Sequence, residues 1–570
     1  MVLRTRVIVL LIFSTSLFFI SCGPGTGSHG LKAWYVDSLV KVFPGDAVGS
    51  SQLAPAQFEA ARNQHVNIQV AFRSTKAFSG ITASLEPLKD GSGHTIAPSN
   101  ASIRQVGYVV VGSHTPKSPA DEVIGTTPGW YPDVLLALPF NVKANRTRSI
   151  WVEIHVPTGT APGDYQGAVD IKTGPQTLAH LPFHLKVVAA TVPEKETLNV
   201  TNWFSLADKK SQQFFGVAEF SDGWWKLVDN VAHVFAAHRQ NVIFTPLMDL
   251  IKPKIEGGRM EYDFSNFDRW VETFKSAGAL KYIEGSHLLT RPYYTASLGV
   301  PIFERQGNKV VTKTLPPDSP QVRRFLAGFL TALDKHLESK GWKGMYIQHV
   351  LDEAHGKEIP YYGKIAEYVR RYMPGVQTVD AINAQSIPDV ERKYCDIWVP
   401  VLGRFDNEVS VLEQRIKSGH PVWYYTCVFP QGRYINRFID YPLVKTRLLP
   451  WLDFRYNLTG FLHWGGNSWT PKPILDTQKV INDNRDLLPA GDAFIYYPDR
   501  KNLTFDSSIR MEEFLAGIED YELLHQLKAT NPAEAKSLGS SAIPSFTDYV
   551  RKVAAFRKIE SKLLADASKQ

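Results

Sequence analysis

"MYIQHVLDEAHG", residues 345–356, is an apolar run carrying Gln348 and His349 that breaks into two adjacent carboxylates, Asp352 and Glu353, before a loop at His355 and Gly356. Like charges side by side repel, and partial burial raises the cost of ionising them. The pair is therefore either a solvated loop start or a functional site. The flanking sequence decides which fold it belongs to. From about residue 197 to 465, apolar runs alternate with amphipathic helical stretches. The candidate strands are "NVTNWF", "NVIFTPL", "LKYIEGSHL", "GMYIQHVL", "VQTVDAI", "YCDIWVPV", "PVWYYTCV" and "TGFLHW". Between them lie helical patterns such as "DGWWKLVDNVAHVFAAHRQ", "FDRWVETFKSAG", "PQVRRFLAGFLTALDKHLESKG" and "PLVKTRLLPWLDFRYN". Eight strands alternating with helices fit a (β/α)8 TIM barrel. A doubly wound open sheet is the other option, but no Gly-rich turn follows the first strand to support it.

Residues 31–192 differ in period. Short alternating runs such as "HVNIQVAFRS", "RSIWVEIHV", "GDYQGAVDIKT" and "LPFHLKVVAA" are separated by Gly, Pro, Asn and Ser turn signals, which predicts an antiparallel β-sandwich. "VPEKET" reads as the linker to the barrel at 197–490. Residues 491–570 read as a hairpin and helices packed on it, the first helix capped by Ser507 or Ser508. On that helix Phe514, Ile518, Tyr521 and Leu524 recur at helical spacing, while Arg510, Glu512, Glu519 and Asp520 read as a salt-bridged charged face. Asp440 reads as the N-cap of the helix between strands 7 and 8.

At the N-terminus, "MVLRTR" is a basic segment, and "VIVLLIFSTSLFFI" is an apolar core too short for a comfortable transmembrane helix. Ser21 and Cys22 follow. Residues 1–21 therefore read as a lipoprotein signal, with cleavage before Cys22 and lipid on its thiol; a plain signal peptide is the simpler reading. Residues 22–30 form a Gly/Ser/Pro tether. The expected protein is an exported bacterial lipoprotein, periplasmic or cell-surface, meeting the membrane only through its anchor. The other two cysteines, Cys395 and Cys427, sit in apolar runs, where a disulfide and two buried thiols fit equally.

The composition of the 570 residues is ordinary for a globular protein, 44% hydrophobic and 21% charged. Lys and Arg are scattered among Asp and Glu despite the formal charge of +7, so no basic stripe tracks a phosphate backbone, and nucleic acid is excluded as a partner. No Cys/His spacing suits a metal. Aromatic residues make up 12%, a content that suits flat sugar faces as well as a large core.

In a barrel, the C-terminal strand ends carry the site. Strand 4 delivers Asp352 and Glu353. Strand 1 delivers Asn202 and Trp203, strand 3 Glu284, His287 and Arg291, and strand 5 Asp380 and Asn383. Strand 7 delivers Tyr424 and Tyr425, which alternate so that only one faces the pocket. Strand 8 delivers His463, Trp464, Asn467 and Trp469. His349 reads as a satisfied strand histidine. Carboxylates, amides and rings on one rim describe a carbohydrate site. Neighbouring residues, with Cα atoms about 3.8 Å apart, cannot easily stand on opposite sides of an anomeric carbon as most retaining glycosidases require. They can serve a substrate whose own 2-acetamido oxygen is the nucleophile.

Three motifs, "VLDEAHG", "VWYYTCVFPQGRYINRFIDYPLVKTRLLPWLDFRYNLTGFLHWGGNSW" and "SSIRMEEFLAGIEDYELL", resemble glycoside hydrolase family 123 and its related domain of formerly unknown function. They span most of residues 340–525. The resemblance implies a retaining exo-glycosidase releasing terminal β-linked N-acetylgalactosamine through an oxazolinium intermediate, without metal or organic cofactor. Carried over, Asp352 orients and stabilises the acetamido group and Glu353 is the general acid/base. The expected substrate-binding residues are Trp464, Tyr424, Tyr425, His287, Arg291, Asn202, Asn383 and Trp469. The expected partner is an oligosaccharide or glycoconjugate ending in an N-acetylhexosamine. Two readings compete: a two-carboxylate glycosidase of other specificity, with Asp249, Glu284, Asp380 or Asp396 as the second carboxylate, and a non-catalytic surface glycan-binding protein.

Overall fold

The structure is a computed structural model, and it describes residues 25–26, 30–292, 296–307, 309–481 and 486–569. The signal segment and Cys22 lie outside the described residues. Two sheets form the N-terminal unit. In one, Leu31–Val36, His65–Ser74, Thr147–His155, Ala101–Val111 and Gly129–Leu136 pair antiparallel in that order. In the other, Phe140–Val142, Phe78–Leu85, Gly163–Thr173 and Gln176–Thr191 pair antiparallel, and Gln57–Arg62 joins parallel at the edge. Ile68, Val70, Phe72, Val152 and Ile154 of the first sheet share a core with Tyr165, Val169, Ile171, Phe183 and Leu185 of the second. Gln176–Thr191 alternates buried and exposed, as a half-solvated strand must. His65–Ser74 is buried almost continuously because the outer face of its sheet is covered as well: Val109, Tyr131, Leu135 and Trp151 pack into the core of the C-terminal half.

Eight short strands follow: β1 Asn199–Asn202, β2 Val242–Thr245, β3 Tyr282–Gly285, β4 Tyr346–Gln348, β5 Gln377–Ile382, β6 Ile397–Pro400, β7 Tyr424–Tyr425 and β8 Gly460–His463. β2 to β6 pair in parallel in sequence order, and β1–β8–β7 form a second parallel run. The bridges Trp398–Val422 and Val401–Tyr425 join β6 to β7. The Asn241 amide donates to Val200 O at 3.2 Å, joining β1 to β2. The strands thus close into a ring, filled by Val242, Ile347, Val379, Ala381, Val399, Trp423, Tyr425 and Leu462. Helices connect the strands, among them Asp222–Ala237, Ser265–Ser276, Pro320–Lys340, Ile359–Tyr372 and Phe405–Lys417. Two hairpins that the strand pattern misses, Lys252–Glu256 with Arg259–Asp263 and Val300–Gln306 with Lys309–Leu315, are inserted after β2 and β3.

The helix Ile509–Thr530 begins at Ser508, whose hydroxyl accepts from the Met511 amide. Its charges do not form an exposed face. Arg510, Glu512, Glu513, Glu519, Asp520 and Glu522 are all buried, because the helix runs between the ring's helices and the sandwich. Each charge has a partner on another element. Arg510 donates both ways to Asp133 of the sandwich at 2.8 and 2.9 Å and to the carbonyls of Arg437, Gly491 and Phe494. Glu512 meets Arg104, Glu519 meets His65, and Asp520 takes Arg447 and the Trp451 indole. Asp440 is likewise not a helix cap. It accepts from the Thr115 amide and hydroxyl at 2.7 Å, while Pro442 occupies the N-cap position. Cys395 and Cys427 are both free thiols. Among the described residues no helix is long and apolar enough to cross a membrane.

Candidate active site

Past the end of β4 the chain turns sharply. Glu353 has φ 48, a left-handed conformation that a glutamate adopts only when its surroundings impose it. Three contacts do so. The Glu353 amide donates to Ala381 O at 3.1 Å, and Arg291 Nη2 donates to Asp352 O at 2.9 Å and Glu353 O at 3.4 Å. Arg291 is itself held by Glu358. The Glu353 carboxylate accepts from the Tyr425 hydroxyl and from Asn383 Nδ2 at 3.4 Å. Asp352 is half-buried. Burial and the neighbouring Glu353 charge push its pKa up to about 7, against the opposite pull of Arg291 and His349.

Beneath the pair lies a buried ionic cluster. His349 Nε2 is 2.7 Å from Glu284 Oε1, and its Nδ1 is 3.2 Å from Asp380 Oδ1. Thr201 and the Trp203 indole also donate to Glu284, at 2.6 and 2.9 Å. Asp380 further accepts from the Tyr362 hydroxyl and from the amides of Val350 and Leu351. Hydrogen bonds to both carboxylates outweigh burial and raise the His349 pKa to about 9. His287 stacks on His349 with ring centroids 4.4 Å apart, and burial and the nearby cations hold it well below its usual pKa. His287, His349 and Asp380 bring ligand-type atoms within 4.8 Å of one another. With both His349 nitrogens facing carboxylates, the group suits an ion-paired imidazolium better than a metal ion.

Of the residues expected on the rim, Tyr425, Asn383, Arg291 and His287 gather around the pair or its supporting cluster. Trp464 is half-buried, its indole nitrogen 3.3 Å from Asp492. Three expectations are corrected. Tyr424 points away from the ring interior into the helical layer and donates to Leu449 O at 2.8 Å, since successive strand residues face opposite sides. Asn202 is buried, its amide donating to Gln240 and accepting from Arg437, away from the acid pair's contacts. Trp469 is buried among Phe214, Phe215 and Phe505 and donates to Tyr496 O, because the chain folds back after β8. Trp203 and Asp492 matter more than the sequence indicated. Trp203 shares the Glu284 carboxylate with His349, and Asp492 anchors Trp464 from a segment with no pattern of its own. Of the alternative second carboxylates, Glu284 and Asp380 belong to the histidine cluster, and Asp396 holds the Thr378 amide at 2.9 Å. A cavity of 980 Å³ lies elsewhere, between the sandwich edge and the last helix. It is not near the acid pair, and the enclosed chemistry at β4 is the better guide to the site.

Carboxylates beside indole and phenol rings at the ends of parallel strands suit a sugar better than a phosphate. The family comparisons agree with this chemistry. Residues 203–527 match the glycoside hydrolase 123 catalytic domain, and residues 47–173 match the glycoside hydrolase 123 N-terminal domain. The catalytic match alone covers more than half of the chain: the protein belongs to glycoside hydrolase family 123. A family 123 glycoside hydrolase from Clostridium perfringens, studied for glycolipid glycan hydrolysis, shares the fold at a TM-score of 0.73 and 16% identity, over 95% of this chain and 97% of that one. A GH5 xyloglucanase from Bacteroides ovatus covers 81% of this chain and 98% of its own, but at 7% identity and a TM-score of 0.30 it carries no weight. No curated protein sequence matches the chain.

Proposed function

We propose that this family 123 member is a retaining exo-glycosidase that releases terminal β-linked N-acetylgalactosamine by substrate assistance, its ring of strands acting as a (β/α)8 barrel. The observation that carries the reading is the adjacency of Asp352 and Glu353, with the other nearby carboxylates, Glu284 and Asp380, committed to His349. A nucleophile facing an acid has no second free carboxylate among these. A substrate that brings its own acetamide oxygen needs none. Asp352 receives the acetamide N–H and offsets the positive charge of the oxazolinium. Glu353 protonates the leaving oxygen and then activates water from the same face. Tyr425 and Asn383 aim the Glu353 carboxylate, and the Trp464 indole offers a flat apolar surface to the sugar ring. The relative studied for glycolipid glycans makes a glycoconjugate an apt substrate class.

Activity on an aryl β-N-acetylgalactosaminide tests the reading. The wild type should turn over, and Glu353→Gln should lose roughly 10²- to 10⁴-fold in kcat. An inert wild type on every aryl 2-acetamido sugar, or full activity in both Glu353→Gln and Asp352→Asn, sinks it. We also propose export and lipid anchoring at Cys22. A Cys22→Ser protein should leave the membrane fraction, and one that stays there removes the anchor.

A further inference from the structure

Resting on the acid-pair reading above, we infer that His349 is a positioning residue for the reaction: as an imidazolium clamped between Glu284 and Asp380, it fixes the protonation and the backbone of the Asp352–Glu353 pair. The geometry favours the charge. A neutral imidazole has one donor nitrogen and one lone pair. Both His349 nitrogens face carboxylate oxygens, at 2.7 and 3.2 Å, so a neutral ring would aim its lone pair at an anion in a site with no exposure to water. Doubly protonated, the ring satisfies both.

Two consequences reach the catalytic pair. Asp380, held on one side by His349, accepts from the amides of Val350 and Leu351 at 3.0 and 3.1 Å. Leu351 is the residue before Asp352, so the clamp fixes the strand end from which the pair projects. The second consequence is electrostatic. The charged groups facing Asp352 are Glu353, Arg291, His349 and Asp380. Those facing His349 are Glu284 from β3 and Asp380 from β5, while His287 and Trp203 cover its ring at 4.4 and 5.3 Å. Together with Arg291, the imidazolium opposes burial and the Glu353 and Asp380 charges, which would otherwise drive the Asp352 pKa above about 7. An ionised Asp352 is what the oxazolinium requires.

The test compares the pH dependence of kcat/KM of the wild type and His349→Gln on an aryl β-N-acetylgalactosaminide. It is joined by carboxyl-carbon NMR of aspartate-labelled enzyme and by histidine ¹⁵N spectra of the wild type. With the cation gone and both carboxylates kept, the pair should hold its last proton to higher pH, moving the alkaline limb and the Asp352 titration up by about one pH unit. The wild-type His349 should keep both nitrogens protonated at pH 7.5. Reduced activity with an unmoved limb and titration, or a neutral His349, overturns the inference. If His349→Gln does not fold, the histidine spectrum decides alone. If the wild type is inert on the sugar, the proposed function falls while the two NMR titrations still judge His349.

Discussion

Tyr424 and Tyr425 are neighbours of the same type with different work. Tyr425 donates to Glu353, so Tyr425→Phe should cut kcat by roughly three- to tenfold, the measure of one lost hydrogen bond, with little change in melting temperature. Tyr424 donates to Leu449 O in the helical layer, so Tyr424→Phe should cost about 1 kcal/mol of stability and leave kcat unchanged. Steady-state kinetics and denaturant melts of the two variants should give opposite patterns. The acid pair predicts its own pH dependence. On the proposed mechanism, the reactive state carries one proton on the pair, which Glu353 passes to the leaving oxygen as the group departs. Burial and like charge bring the Asp352 pKa up to about 7, so the pair as a unit gives up its last proton near that pH. A pH–rate profile should therefore show kcat/KM falling as pH rises above about 7. A plateau extending to pH 9 would contradict the shared-proton picture.

The helix Ile509–Thr530 shows how an element is specified by what surrounds it. Gly517 sits mid-helix, where alanine would ordinarily gain about 1 kcal/mol. A Cβ there would stand 2.3 Å from Arg447 O and 3.0 Å from a Pro450 ring carbon. The helix crosses the Leu443–Arg447 and Leu449–Tyr456 helices at this point. Gly517→Ala should thus destabilise by roughly 1–3 kcal/mol, the range for forced overpacking, read as a lower denaturant midpoint. The charges of the same helix follow the same rule. With Arg510 uncharged, Asp133 is left buried without its cation, so Arg510→Met should cost about 3–5 kcal/mol in the same melts.

At the scale of the whole molecule, the sandwich is part of the catalytic half's core. Beyond Asp133–Arg510 and Arg104–Glu512, Thr115 holds Asp440, and Glu122 holds the buried Lys445 at 2.7 Å. Trp151, on the sandwich, bonds Asn67, whose own amide reaches Glu512 O. These contacts brace the segments that follow β7 and β8. The sandwich is thereby a brace for the catalytic half rather than a loose appendage.

The sequence alone determined the order of elements, since periods of 2 and 3.6 residues are local properties of the chain. It also marked the acid pair as a candidate, because two adjacent carboxylates follow an apolar run and their place at the end of the fourth strand follows from strand count. Tertiary structure decided what each polar residue does. Strand alternation narrowed Tyr424 and Tyr425 to one, but only the sense of the ring interior chose Tyr425. Asn202 and Trp469 carried the right chemistry for a site, and Asp440 for a helix cap, and each is bonded to a partner tens to hundreds of positions away. His349 read as a satisfied core histidine, and it is satisfied. That its two partners make it a cation beneath Asp352 depends on Glu284 and Asp380 converging from β3 and β5, which no local pattern encodes. The charged residues of Ile509–Thr530 read as a salt-bridged face, and they are salt-bridged; local periodicity says which residues share a face, while burial of that face is settled by the sandwich that closes over it.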